Sequence, residues 1–409
     1  MSFEIRPLTE EDIPAFRQAI AAGFGEDADL EDETSLERFK ALFRRDRSFP
    51  VFDGDQMVGT GGDFEFQMTV PGGAQAATAG LTIVTVRPTH TRQGALSAMM
   101  REHFDRARQR GEILGALWAS ERAIYGRFGY GPAVVQHAIK IDARQAGRGG
   151  FEPGVNVRLV ELDEAKQLLP PLYARLQATR AGMYQRSDDW WKYQLFYDPQ
   201  KWRDGASAVR HVVAEADGEP VGYASYRQKM DWDHIAGGEV RIREVIPVTD
   251  AGFRALWHYL LNIDLFPILK HWNNAVDDPL PMLLRDGRAL ETTGLADGLW
   301  VRLIDLTAAL AQRTYPRDGN LVIDVTDRWC PWNEGRFRLT VAEGAAQCEP
   351  TTDDPELTMD VGTLSALYLG GQSAVGLARA GLIEGKPADI AAASEMFRTA
   401  PLPWCAEVF

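Results

Sequence analysis

Hydrophobic and polar positions change period in regular succession along the chain. Alternation in residues 3–7 (FEIRP) predicts a short strand, and Thr9 before two acidic residues predicts the N-cap of a helix over 10–22. Carboxylates crowd residues 23–33. A second helix follows over 35–43, and strand segments 50–53 and 57–59 flank a Gly54-Asp55 turn. Residues 64–70 end at Pro71-Gly72-Gly73, a hairpin signal, and 75–86 read as one long strand. After a polar loop, 87–93, residues Leu96, Met99, Met100, Phe104 and Ala107 recur at helical spacing and predict a helix over 95–110. A buried-type strand over 113–119, a short helix from near Ser120, and a last strand over 134–141 complete a β-α-α-β-β-β-α-β-α-β order.

The pattern then begins again. Residues 144–150 (RQAGRGG) read as a linker, and 155–173 repeat the opening strand, carboxylate cap and helix, with Arg158 in the place of Arg6. Residues 211–228 give strand–turn–strand, 239–261 give a strand running into a helix, and 298–306 resemble the end of the first unit. Residues 155–306 are thus a second copy of the first fold. The remainder alternates strands with later helices, an α+β pattern. Its tail, PLPWCAEVF, carries Trp404, Val408 and Phe409, and an apolar end of this kind is expected to dock. The expected domains are 1–148, 149–304 and 305–409, in an α/β chain of mixed sheets.

Candidate chemistry concentrates in residues 81–94 (LTIVTVRPTHTRQG). A strand feeding a glycine turn into a helix start leaves backbone N–H groups and the positive end of the helix dipole facing outward, an anion site. Arg87 and Arg92 flank it and suit phosphate. On spacing alone an ordinary βα turn reads the same way. The second copy places Asp250 at the corresponding turn, where a carboxylate repels an anion, so that copy is expected to be structural. A net charge of −14 disfavours nucleic acid as a partner and suits a cationic substrate. Three widely spaced cysteines and seven scattered histidines give no disulfide framework and no zinc pattern, so no metal is expected. No apolar run is long enough for a membrane span and no signal region opens the chain, so a cytoplasmic location is expected.

Three segments together resemble a known family. VTVRPTHTRQGAL resembles the acetyl-CoA loop of the GNAT superfamily of N-acyltransferases, ASERAIYGRFGYG resembles a segment of its enhanced intracellular survival (Eis) branch, and the final third resembles a type 2 sterol carrier protein domain. The resemblance covers the whole chain. It implies tandem GNAT folds, the second degenerate, and an acetyl-CoA-dependent N-acetyltransferase acting by direct attack on the thioester. The implied acceptors are aminoglycoside-type amines, polyamines or lysine side chains, and the implied assembly is a homo-oligomer, a hexamer. Cofactor contacts fall on Val84, Thr85 and Val86 of the strand, on Thr91, Arg92, Gln93, Gly94 and Ala95 of the turn, and on Ser120. The superfamily pattern has arginine or glutamine where this chain has Thr91, and a small residue where it has Leu96, which leaves Arg92 as the main side-chain contact. The resemblance makes Tyr125 the general acid and the terminal carboxylate of Phe409 the general base. On the residues alone, Tyr125, Phe128 and Tyr130 also read as packed aromatics, and Phe409 as a frayed end. Phe24, Glu26, Asp27 and Glu407 are candidates for gripping a cationic substrate. Two other readings stay open: a lipid carrier, and an interaction scaffold with decayed acetyltransferase folds.

Overall fold

The computed structural model describes residues 3–147, 154–233 and 235–409. The first third of the chain lays down β1 (Glu4–Ile5), β2 (Val51–Asp53), β3 (Gln56–Thr69), β4 (Gln75–Val86), β5 (Leu114–Trp118) and β6 (Gly131–Pro132). Among them lie helices α1 (Ile13–Gly23), α2 (Glu33–Leu42), α3 (Ala95–Gln109) and α4 (Arg122–Tyr125). Then come β7 (Val135–Asp142), β8 (Val155–Val160), β9 (Arg210–Ala216), β10 (Glu219–Lys229), a small ribbon of β11 (Trp232–Asp233) and β12 (Ile235–Ala236), β13 (Glu239–Pro247), β14 (Ile268–Asn274) and β15 (Leu290–Asp297). The last part adds β16 (Leu299–Leu303), β17 (Gly319–Thr326), β18 (Gly335–Ala342), β19 (Ala345–Pro350), β20 (Leu357–Asp360) and β21 (Ile383–Gly385).

Three mixed sheets result, in the orders β1-β2-β3-β4-β5-β16-β6, β15-β7-β14-β13-β10-β9-β8 and β19-β18-β17-β20-β21. They fall into two compact units. One joins the chain up to Val134 with Gly298–Phe409, and the other is Val135–Asp297. This corrects one sequence expectation. The strand over 134–141 does not close the first sheet; it is β7 of the second, between β15 and β14. The place beside β5 is taken by β16, which was expected to end the second copy. Apolar alternation says which face of a strand is buried but not which sheet receives it. β16 is closed on both faces, with Leu299, Trp300, Val301, Arg302 and Leu303 all 3% exposed or less, as a central strand must be.

The core of the first unit packs α3 (Met99, Met100, Phe104, Ala107) on Phe49, Val51, Leu81 and Leu117 of the sheet. Tyr125, Phe128, Tyr130, Trp300 and Cys330 belong to the same cluster, so the GNAT-like and C-terminal parts share one core. Residues 143–146 form a helical turn, while the rest of the expected linker from 148 and the boundary placed there lie outside the described residues. Segments 57–59 and 64–70 prove to be one continuous strand, β3, with Gly59, Gly61 and Gly62 inside it. Helix α1 begins at Ile13 rather than at 10: Thr9 gives its amide (3.1 Å) and hydroxyl (2.6 Å) to the Asp12 carboxylate, which also pairs with Arg6.

Candidate active site

The central feature is a fork in the first sheet. β4 pairs with β5 only from Thr78 to Gly80, yet runs on to Val86. Beyond Gly80 no strand among the described residues takes that edge, and Thr82, Ile83 and Val84 are half-buried. The cause is a bulge. Register against β3 slips between Thr60 and Gly62, and Ile83 sits at φ +48°, a conformation that a β-branched residue rarely adopts. Thr60, fully buried, holds it: its hydroxyl lies 2.7 Å from the Ile83 carbonyl and 2.7 Å from the Thr85 hydroxyl. The glycines of β3 make room. A Cβ on Gly59 would stand 2.9 Å from the Thr85 carbonyl, and one on Gly62 3.2 Å from Ile83. Val84, Thr85 and Val86 therefore lie on the free arm of the fork, on an edge that pairs with no strand among the described residues and that suits an extended, amide-bearing ligand.

At the end of that arm the chain turns into α3. Arg92 (φ +62°) and Gly94 (φ +98°) both take left-handed conformations, and Gly94 is the N-cap with no side chain to close the first turn. No side chain among the described residues caps the N–H groups there, as an anion site requires. Thr91 donates its hydroxyl to the Pro88 carbonyl (3.0 Å) and Gln93 its amide to the Thr89 carbonyl (2.9 Å), so these two side chains shape the turn. Arg92 is exposed and makes no ion pair among the described residues, and Ala95 starts the helix buried. In the second unit the corresponding helix (Asp250–Leu261) is self-capped, the Thr249 hydroxyl accepting from Gly252 N–H at 3.0 Å, with Asp250 in its first turn.

Tyr125 ends α4 and is 7% exposed. Burial raises its pKa above the ordinary tyrosine value. Its hydroxyl takes no hydrogen bond among the described residues, and its ring meets Tyr130 edge-on at 6.3 Å. Tyr130 is bonded through its hydroxyl to His103 Nε2 (3.0 Å), and His103 Nδ1 faces Asp63 at 3.4 Å. Asp63 also accepts from Arg47 (2.5 Å) and Arg110 (2.9 Å), and both arginines reach Glu112. Sequence reading missed this buried charge cluster. Ser120 is exposed just ahead of α4.

The C-terminal tail docks as expected. Trp404, Cys405 and Glu407 are buried, and the Phe409 ring stacks edge-on against Phe66 (5.0 Å) and Phe64 (6.1 Å). Phe409 also lies beside Gly80, whose absent Cβ would be 3.2 Å from its ring. The chain end thus sits at the point where β4 leaves β5. Glu407 is enclosed rather than presented, at 6% exposure. Phe24, Glu26 and Asp27 are exposed just past α1, and Gly23 at the end of α1 packs against Thr85, which brings their loop beside the free arm. Among the described residues no group of three or more His, Cys, Asp or Glu side chains is placed to hold a metal, and no helix is long and apolar enough to cross a membrane.

Comparison with known proteins accords with this layout. Residues 4–133 and 182–303 each match a model of the acetyltransferase (GNAT) domain, and 306–406 match the sterol carrier protein domain. An uncharacterized N-acetyltransferase of Streptomyces avermitilis is 40% identical over 409 residues, covering 99% of both chains. The N-acetyltransferase Eis of Mycobacterium tuberculosis is 34% identical over 93% of both. The crystal structure of Eis1 from Mycobacterium abscessus superposes with a TM-score of 0.85 at 28% identity over the full length of each chain.

Proposed function

The chain belongs to the Eis family of N-acetyltransferases in the GNAT superfamily, and on that premise we propose that it transfers the acetyl group of acetyl-CoA to the amine of an aminoglycoside, polyamine or lysine side chain. The observation that carries this reading is the fork. One unit holds an open strand edge, an uncapped helix N-terminus at its end, and the chain terminus at its apex. Val84, Thr85 and Val86 would offer backbone partners to the pantetheine arm. Residues Thr91, Arg92, Gln93, Gly94 and Ala95 would hold the pyrophosphate through first-turn amides and the Arg92 guanidinium, with Ser120 at the far side. Phe24, Glu26 and Asp27 would supply an apolar wall and negative charge toward a cationic acceptor, with Glu407 behind the terminus.

Acetyl-CoA supplies the activated acyl group. The ammonium first loses one proton to water; the neutral nitrogen then bonds to the carbonyl carbon, the C–S bond breaks, and the nitrogen loses a second proton while sulfur gains one. Tyr125, kept neutral by its burial, holds the proton for sulfur. The Phe409 carboxylate faces the harder task. Reference values of about 3.5 for an α-carboxyl and about 10.4 for an alkylamine make direct abstraction uphill by about 9 kcal/mol. It therefore acts by holding the cation and receiving its proton through water. A chain ending at Val408 is expected to lose about a hundredfold in kcat.

Release of CoA from acetyl-CoA in the presence of an aminoglycoside, a polyamine and a lysine peptide tests the proposal. Saturable release with at least one is expected; release at the background rate with all three would remove it. The cytoplasmic location and the homo-hexamer belong to the same reading, and sedimentation equilibrium tests the latter.

A further inference from the structure

If Tyr125 is the acid, something must aim it, and its own hydroxyl is anchored to no group among the described residues. Its direction is set by the backbone turn it opens, Gly126–Phe128, and by ring packing. Two carbonyls of that turn are held from outside. Arg302 Nε–H donates to the Phe128 carbonyl at 3.0 Å, and Trp329 Nε1–H to the Arg127 carbonyl at 2.7 Å. The Trp329 ring also packs on Phe128, centroids 4.7 Å apart.

Both donors are fixed by one carboxylate. Asp327 takes two hydrogen bonds from Arg302 (2.6 and 2.7 Å), and its Oδ1 accepts the backbone N–H of Trp329 (3.1 Å) and of Cys330 (3.0 Å). Asn333 reaches its other oxygen at 3.3 Å. The Arg302 and Asp327 side chains are wholly buried. Burying an ion pair recovers little stability over a well-packed apolar alternative, so stability alone is a weak reason for this one. Close fit of the turn is visible at Gly129, where φ is +83° and a Cβ would stand 2.7 Å from Arg302 Nε. Arg302 lies on β16, the strand that reaches the first sheet from beyond the second unit, and Asp327 and Trp329 lie between β17 and β18 of the C-terminal sheet.

We propose that Arg302, Asp327 and Trp329 form a clamp that aims the Tyr125 hydroxyl at the reacting thioester, so that the sterol-carrier-like domain serves acetyl transfer as the mount of its acid. The inference rests on the reading of Tyr125 as the general acid. All three are positioning residues: they act on the reaction through the turn.

The test is a double-mutant cycle in the full-length protein, with acetyl-CoA and whichever amine of the panel turns over best. W329F keeps a ring for Phe128 and removes the N–H from the Arg127 carbonyl. R302K keeps a cation beside Asp327 and removes Nε from the Phe128 carbonyl. Each is expected to lower kcat about tenfold with less than a twofold change in KM for acetyl-CoA. In a Y125F background the same changes are expected to cost less than twofold, because there is no longer a hydroxyl to aim. Equal losses with and without Tyr125, or no loss in the single variants, would overturn the clamp. Wild-type kcat in Y125F alone would instead defeat the acid assignment, in an arm that carries no clamp substitution.

Discussion

Tyr125 and Asp63 are both buried, yet their pKa values move in opposite directions because only Asp63 has charged partners. Burial raises the Tyr125 pKa, so the phenol stays protonated where an exposed tyrosine would start to ionise. As the alkaline range is entered the amine loses its proton and the rate rises. The acid should not be lost below about pH 10. A pH–rate profile without a falling limb below that point is expected, along with a hundredfold or greater loss of kcat in Y125F. A falling limb near pH 8 that persists in Y125F would show that another group donates the proton. For Asp63, burial alone would raise the pKa, but the hydrogen bond and charge of His103 and the charges of Arg110 and Arg47 outweigh it and hold the carboxylate below its ordinary value. A folded-state pKa below the unfolded one gives stability that is present above about pH 4 and lost as pH falls through the folded value. D63N leaves Arg47 and Arg110 sharing Glu112 as their one remaining buried carboxylate and is expected to cost about 3 kcal/mol at neutral pH, read from the urea midpoint, with the gap to wild type narrowing below pH 4. Tyr125, Arg92 and Phe409 could be singled out in the sequence because each sits in a short local motif or at the chain end. Asp63, His103, Arg302 and Asp327 could not, because an isolated charged residue reads as surface until its partner, up to 65 positions away for Arg47 and Glu112, is known.

At the level of elements, the strand–turn–helix of β4 and α3 was legible because its period changes from two to 3.6 across a glycine. Its decisive irregularity was not. Thr-Ile-Val-Thr-Val is as strand-prone a run as the chain contains, and nothing in it announces a left-handed Ile83. The available signal lay on the facing strand, where Gly59, Gly61 and Gly62 interrupt a pattern that gains nothing from them in propensity. Gly94 offers the corresponding test on the turn. No atom lies within 4 Å of its absent Cβ, so G94A creates no clash and its cost comes from φ +98° alone. Expected effects are roughly 1–2 kcal/mol of strain and a several-fold weaker hold on acetyl-CoA with kcat changed little. Calorimetric titration of CoA into G94A checks this, and unchanged affinity would separate the turn from cofactor binding.

For the whole chain, the sequence reveals a fold repeated twice but not that its final strands are exchanged. β7 and β16 both carry regularly placed apolar residues and pair antiparallel with their neighbours, which does not say which sheet receives each, and the two-faced burial of β16 decides. The consequence is energetic. Leu299, Trp300, Val301 and Leu303 are essentially buried, and at about 1.5–3 kcal/mol per side chain they contribute on the order of 6–12 kcal/mol, as much as the net stability of a typical domain. A fragment of residues 1–148 lacks that strand, leaves the β5 edge and the core side of Leu117 uncovered, and lacks Arg302 behind the Tyr125 turn. It is expected to aggregate and not to bind CoA. The first unit should nevertheless stand alone once its own parts are joined. Gly298 N–H donates to the Val134 carbonyl at 2.9 Å, so a short glycine–serine linker can replace residues 135–297 without stretching either side. That joined protein is expected to elute as a folded species, to melt cooperatively, and to bind CoA within about tenfold of the full chain. If instead the 1–148 fragment folds and binds CoA as tightly as the intact protein, β16 is no part of the working sheet, and a clamp built on Arg302 falls with it.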